Sequence, residues 1–268
     1  MGIFKTKIVL ITGGASGIGE IMTRMLLERD AIVIVWDIHE RNLDIIKSKY
    51  AALGKLTAMK VDVANNSEIK NAASEVNTIF GGIDFLINNA GIIKGSYFHE
   101  HSEEDILNTM NINANAPMLI THAFIEQMLA KNSGHICNIA SSGGLVSNPK
   151  MSAYVASKWS LIGFSDSLRL EMDRLKKKIR VTTIMPYYIN TGMFEGVKSR
   201  IPILEPEATA ITILTAIEKN KKMVSIPGYI YRLTRLARAI LPLSIFDWFT
   251  GSVLGIYKTM DHFKGRKG

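Results

Sequence analysis

The chain has 268 residues, 47% of them hydrophobic and 21% charged, with modest glycine and proline. That composition excludes disordered, collagen-like and low-complexity classes, and the length suits one α/β domain. A single cysteine, Cys137, excludes a disulfide framework and a multi-cysteine metal site, and points to a reducing, cytoplasmic compartment.

The net charge of +8 is local. Ten basic and two acidic residues lie between Lys219 and Gly268, while the first 218 residues carry 22 of each sign. The basicity therefore belongs to the tail and gives no reading of nucleic-acid binding.

In chain order, residues 1–6 fit the loose N-myristoylation pattern and are read as a strand leader; Lys5 and Lys7 argue against a secretory signal. Short apolar or β-branched runs predict strands at 7–12, 31–36, 56–61, 83–88, 135–140, 180–185 and 223–226. Helix-length segments fall near 18–29, 40–52, 67–80, 103–131, 152–176 and 206–219. Ile8-Val9-Leu10-Ile11 and Ile32-Val33-Ile34-Val35 are continuously apolar, as strands buried on both faces require. The alternation predicts right-handed βαβ units in an α/β, doubly wound parallel sheet of about seven strands, with helices on both faces. Residues 1–227 are expected to form one catalytic domain, and 228–268 a basic, apolar extension of it. The nearest approach to a membrane span, residues 239–257, is interrupted by Pro242, Asp247 and two glycines.

Directly after the first strand comes Thr12-Gly13-Gly14-Ala15-Ser16-Gly17-Ile18-Gly19, opening the first helix. Glycines there permit a tight turn and let backbone N–H groups approach a pyrophosphate at the positive helix end. Asp37 ends the second strand 18 residues after Gly19, where a carboxylate receives ribose hydroxyls and repels a 2′-phosphate. The expected cofactor is NAD, with Arg41 read as a solvated helix residue. Tyr154 and Lys158 share one helix face at i and i+4, and a neighbouring ammonium is expected to lower the phenol's pKa toward that of a working base. Ser141 lies thirteen residues before Tyr154, at the carboxyl end of a strand where α/β sites form.

These motifs resemble those of the short-chain dehydrogenase/reductase family, a Rossmann-type fold, over residues 7 to about 195. Thr12–Gly19 matches the family's glycine turn, Asn88-Asn89-Ala90-Gly91 its segment after strand four, and Ser141, Tyr154 and Lys158 its catalytic serine and YxxxK. The resemblance implies that Tyr154 moves the alcohol proton, Ser141 hydrogen-bonds the reacting oxygen, and Lys158 holds the nicotinamide ribose. It implies that Asn113 supports a water linking Lys158 to solvent. For the cofactor it implies Gly13, Ser16, Gly17, Ile18, Gly19, Asp37, Asp62, Val63, Asn89, Ala90 and Gly91, with Pro186, Ile189 and Thr191 near the carboxamide. Tyr187 departs from the glycine many members carry, although a retinol and 17β-hydroxysteroid dehydrogenase subgroup has bulky residues there. Val35-Trp36-Asp37-Ile38 and Thr191–Gly196 look similar to that subgroup.

The residues after strand six, including Tyr187, Tyr188, Met193, Phe194, Ile201 and Ile203, suit an apolar pocket. The expected substrate is an apolar alcohol or ketone of retinoid, steroid or lipid type. A 3-oxoacyl thioester reductase and a non-catalytic NAD(H)-binding regulator are the alternatives. A homodimer or homotetramer is expected through helices 103–131 and 152–176, with Trp159, Ile162 and Phe164 supplying apolar surface. The extension, with Arg232, Arg235 and Arg238 at three-residue spacing, reads either as attachment to a membrane surface or as a lid or subunit contact. Cys137 reads as an inert buried thiol, and the scattered histidines form no metal pair.

Overall fold

Ile8–Thr12 (β1) buries apolar side chains on both faces: Val9 and Ile11 enter one core and Leu10 the other. Burying a side chain of this size is worth about 1.5–3 kcal/mol. The structure, a computed structural model, describes residues 2–265. Met1 of the acylation pattern and Arg266 and Lys267 of the basic tail lie outside the described residues. The leader is packed by Phe4, which is fully buried with its ring centroid 5.1 Å from that of Phe85.

The other strands are Ile32–Asp37 (β2), Lys55–Lys60 (β3), Phe85–Asn88 (β4), Gly134–Ile139 (β5), Ile179–Pro186 (β6) and Met223–Ile226 (β7). All pair in parallel, in the order β3-β2-β1-β4-β5-β6-β7. The order reverses between β1 and β4, and a crevice opens there at the strands' carboxyl ends.

The helices are Gly17–Leu27 (α1), Glu40–Lys49 (α2), Asn66–Phe80 (α3), Glu103–Met110 (α4), Ala116–Lys131 (α5), Ser152–Arg174 (α6), Pro206–Glu218 (α7), Gly228–Ile240 (α8) and Leu243–Trp248 (α9). One face of the sheet is covered by α1, α2 and α7 through Met22, Leu43 and Ile213, the other by α3, α5 and α6 through Val76, Phe124 and Leu168. The doubly wound Rossmann-type fold expected from the sequence is the fold observed.

Two boundaries differ from the pattern. The helix expected over 103–131 is interrupted by a π turn, Asn111–Asn115, between α4 and α5. Three asparagines in five residues lower helix propensity there, and a π turn admits one extra residue per turn. Strand four starts at Phe85 rather than residue 83, because the Asp84 carboxylate turns back to accept the Ile8 N–H at 3.0 Å. Among the described residues no helix is long and apolar enough to cross a membrane.

Candidate active site

The glycine turn is held open by its own backbone and by a clamp from β4. Gly13 and Gly17 have φ of +62° and +57°, a region that disfavours side chains. A Cβ on Gly19 would overlap the Gly13 carbonyl oxygen, so this glycine lets α1 pack close against the turn. The Thr12 hydroxyl accepts the N–H groups of Asn89 and Ala90, each at 3.0 Å. In return the Asn89 amide donates to the carbonyls of Thr12 at 3.0 Å and Gly13 at 3.1 Å. The glycine turn and the Asn89–Ala90 corner thus form one rigid wall.

A cleft of about 690 Å³ starts at that wall, where Gly13, Ser16, Gly17, Ile18, Asn89, Ala90 and Gly91 line it. It continues past Ser141, Tyr154 and Lys158, then past Pro186, Ile189 and Thr191, into an apolar chamber. The structure therefore brings most of the expected site residues together. Gly19, Asp37, Asp62, Val63 and Asn113 do not line this cleft.

Asp37 lies just beyond it, 6% exposed, accepting the N–H groups of Ala15 and His39, both at 3.1 Å. Asp62 closes its own turn by accepting the Ala64 N–H at 2.9 Å, and Val63 is buried in the core under α3. Asn113 is fully buried. Its amide pairs with both backbone groups of Ile92, each at 2.9 Å, and donates to the Ser157 hydroxyl at 3.1 Å. Its side chain is therefore committed to protein partners, and a water on this residue would have to use its backbone.

Ser141 follows β5, and its hydroxyl accepts the Gly143 N–H at 3.0 Å while hydrogen-bonding the Tyr154 phenol. Lys158 donates to the Ile139 carbonyl at 3.0 Å, with its ammonium 5.7 Å from the Tyr154 ring centroid. Burial pushes the Tyr154 phenol up to about 12, against a lowering by the Ser141 hydrogen bond; Tyr188 adds a smaller rise. Burial also lowers the Lys158 ammonium to about 8. Desolvation is the largest cause of the phenol's shift, and the lowering contribution comes from Ser141.

The cleft fits a dinucleotide on two observations. At Gly17 a Cβ would meet only Thr191, at 3.6 Å, so the turn faces open space in front of the α1 N-terminus. At Gly91 a Cβ would crowd Asn113 Oδ1 at 3.2 Å and Lys158 Nζ at 3.5 Å, so its absence keeps this stretch of wall slim beside the lysine. Tyr187 needs no positive φ: its N–H donates to the Ile226 carbonyl at 2.8 Å, extending the β6–β7 pairing. Its ring packs edge-on against Tyr188, and Tyr188 in turn against Phe194, which meets Tyr154.

Of the residues expected to form the apolar pocket, Tyr187, Tyr188, Met193, Phe194 and Ile201 line the chamber, whereas Ile203 is 41% exposed outside it. Sequence reasoning missed the Thr12 clamp, although Thr12 opens the quoted motif, and Ser157, which carried no signal beyond its place beside Lys158. The chamber's far wall is α8 and α9, and the last described residues strap it in place. Asn148 donates to Thr259 Oγ1 at 2.8 Å, Lys198 N–H to the Thr259 carbonyl at 3.2 Å, and Lys264 N–H to the Glu195 carbonyl at 2.9 Å. A Cβ on Gly196 would overlap the His262 carbonyl oxygen beneath this strap.

The family model for short chain dehydrogenase matches residues 7–201. The chain is 31% identical over 270 residues to epidermal retinol dehydrogenase 2 of Mus musculus, covering 97% of this chain and 86% of that protein. It is 34% identical over 239 residues to estradiol 17-beta-dehydrogenase 11 of Pongo abelii, covering 88% of this chain and 79% of that one. A short chain dehydrogenase/reductase from Burkholderia phymatum, solved in complex with NAD, shares the fold with a TM-score of 0.81 and 23% identity, covering 89% of this chain and 95% of its own. Fold, motif order and relatives agree: the chain is an enzyme of the short-chain dehydrogenase/reductase family, in its retinol and 17β-hydroxysteroid dehydrogenase subgroup.

Proposed function

We propose that this enzyme is an NAD(H)-dependent oxidoreductase that interconverts an apolar alcohol of retinoid, steroid or lipid type and its carbonyl, with Tyr154 as general acid and base. One observation carries the reading. The buried Ser141–Tyr154–Lys158 group sits where a glycine-turn cleft meets an aromatic, apolar chamber: Lys158 lies beside Gly91, and Tyr154 beside Phe194. The names of the subgroup's retinol and estradiol dehydrogenases agree with such a substrate.

In this reading Gly13, Ser16, Gly17 and Ile18 hold the pyrophosphate at the α1 N-terminus, Gly19 serves that site by letting α1 pack close against the turn, and Asp37 takes the adenosine ribose hydroxyls. Asp62 and Val63 flank the adenine, while Asn89, Ala90 and Gly91 form the wall. Lys158 holds the nicotinamide ribose, and Pro186, Ile189 and Thr191 hold the carboxamide end. Bound there, a nicotinamide supplies the hydride chemistry. The chain's own residues do the rest. Ser141 orients the substrate oxygen, and Tyr154 gives that oxygen a proton in reduction or removes it in oxidation. Lys158 places positive charge beside the phenolate that forms, and Asn113 fixes the Ile92 segment against α6. The chamber wall excludes water from the reacting carbon. The protein works in the cytoplasm, peripheral to a lipid surface, as a homodimer or homotetramer.

The test is Tyr154→Phe, assayed on retinol, steroid and long-chain alcohols with either cofactor. Turnover of every substrate should fall by about 10²–10⁴-fold, with NADH binding retained by fluorescence titration. Undiminished turnover in the variant would overturn the mechanism, and wild-type activity confined to acetoacetyl thioesters would overturn the substrate class.

A further inference from the structure

The α8–α9 segment is exposed where the chamber opens. Tyr229, Leu233, Leu236 and Ile240 recur along one face of α8 and are 50–67% exposed, and all four also line the cleft. Beyond Pro242 the surface continues with Leu243 at 65% and Trp248 at 62%. An apolar rim of this extent on a cleft is unlike ordinary scattered surface residues.

Charge singles out the same face. Residues 228–246 contain three arginines and no carboxylate. Arg232 is exposed beside the apolar stripe, and Arg235 is held upright by the Tyr231 hydroxyl at 2.6 Å. The expected three-arginine stripe is only partly realised, because Arg238 turns inward over the rings of Trp159 and Phe246, at 5.0 and 5.4 Å. A helix with an outward apolar stripe, a flanking row of arginines and an interfacial tryptophan matches the depth profile of a bilayer surface. Acyl chains meet the leucines, and anionic headgroups meet the guanidinium groups.

We propose that this face seats the enzyme on an anionic lipid bilayer, with the mouth of the chamber turned into the lipid so that substrate enters from the bilayer. The seating stands on the exposed face itself; the entry route rests on the proposed apolar-alcohol activity. Leu243 and Trp248 do not line the cleft, so Leu243→Glu with Trp248→Glu tests the surface without touching the chamber.

The full chain should co-sediment with phosphatidylcholine vesicles containing about 30% phosphatidylserine and detach as salt rises. Arg232→Gln should weaken binding about fivefold. The double variant should lose binding by tenfold or more, and with it the oxidation of a long-chain alcohol embedded in those vesicles. Oxidation of a short water-soluble alcohol should stay at the wild-type rate. No sedimentation at low salt, or equal sedimentation of the double variant, would overturn the seating. A double variant that breaks a wild-type dimer without any vesicle binding would show that a second copy covers this face. Vesicle binding without loss of embedded-alcohol turnover in the variant would overturn the entry route alone. Vesicle binding by a wild type inactive on both alcohols would leave the seating standing and sink the proposed activity.

Discussion

Tyr154 and Lys158 are each pushed by burial toward their neutral forms, the phenol up to about 12 and the ammonium down to about 8. The two directions set a pH signature. A phenol that holds its proton through neutrality is ready to protonate a nascent alkoxide, so carbonyl reduction should be level below about pH 8. Above that value Lys158 loses its charge and reduction should decline. Alcohol oxidation needs the phenolate, whose small fraction grows with pH, so its kcat/KM should climb, with the slope slackening above about pH 8. Profiles of kcat/KM in both directions check this; identical profiles would contradict it. Asp37 governs the second prediction at this scale. Its carboxylate already receives two backbone N–H groups, and in the proposed reading it would repel a 2′-phosphate. Wild type should prefer NAD by kcat/KM, and Asp37→Ala should shrink or reverse that preference; a wild-type preference for NADP would count against the assignment. The identities of these side chains were legible from spacing together with the ordered family motifs, since a Tyr-x-x-x-Lys spacing alone recurs in many helices. The direction of the Tyr154 shift was not, because it depends on a burial that only the folded chamber creates.

Among the elements, strands were the most legible. Runs such as those of β1 and β2 are apolar at every position because both sheet faces are covered, and no surface requirement blurs the pattern. Helix boundaries were less so, and the π turn between α4 and α5 is the clearest case. Asn113 was singled out by the family resemblance, but nothing local signalled the turn, since the partner of that side chain lies 21 residues earlier, at the backbone of Ile92. Asn113→Ala removes all three hydrogen bonds of that side chain, two to the part-buried backbone of Ile92 and one to the buried Ser157 hydroxyl. It should cost about 2–4 kcal/mol in urea unfolding and lower turnover together with stability. An Asn113→Ala enzyme as stable as wild type would show that the Ile92 bridge contributes little.

For the whole molecule, the sequence expected Trp159, Ile162 and Phe164 to present a subunit surface. Ile162 and Phe164 are partly buried against the core, whereas Trp159 is 43% exposed with Arg238 of α8 over its ring. Apolar surface does remain on the helices named for pairing, at Leu107, Leu119 and Leu170. Light scattering at micromolar concentration should therefore report a dimer or tetramer, and Leu170→Glu should shift it toward monomer; a monomeric wild type would refute the pairing. The extension was legible only as a choice among membrane attachment, lid and subunit contact, because composition cannot say which side of a helix meets protein. In the structure α8 walls the chamber, and the apolar stripe that lines it is also exposed at the chamber's mouth.

The strap through Thr259 and Lys264 also divides the enzyme by order of synthesis. Among the described residues every strand and the glycine turn precede Pro227, whereas the chamber's far wall and the bonds that tie it down involve residues 228–265, which are translated after them. A premature stop codon after Pro227 is therefore expected to yield a product that still grips dinucleotide and has nowhere to put an alcohol. Such a fragment would compete for cofactor in the cell without turning it over, and a frameshift late in the reading frame would behave as more than a simple loss of protein.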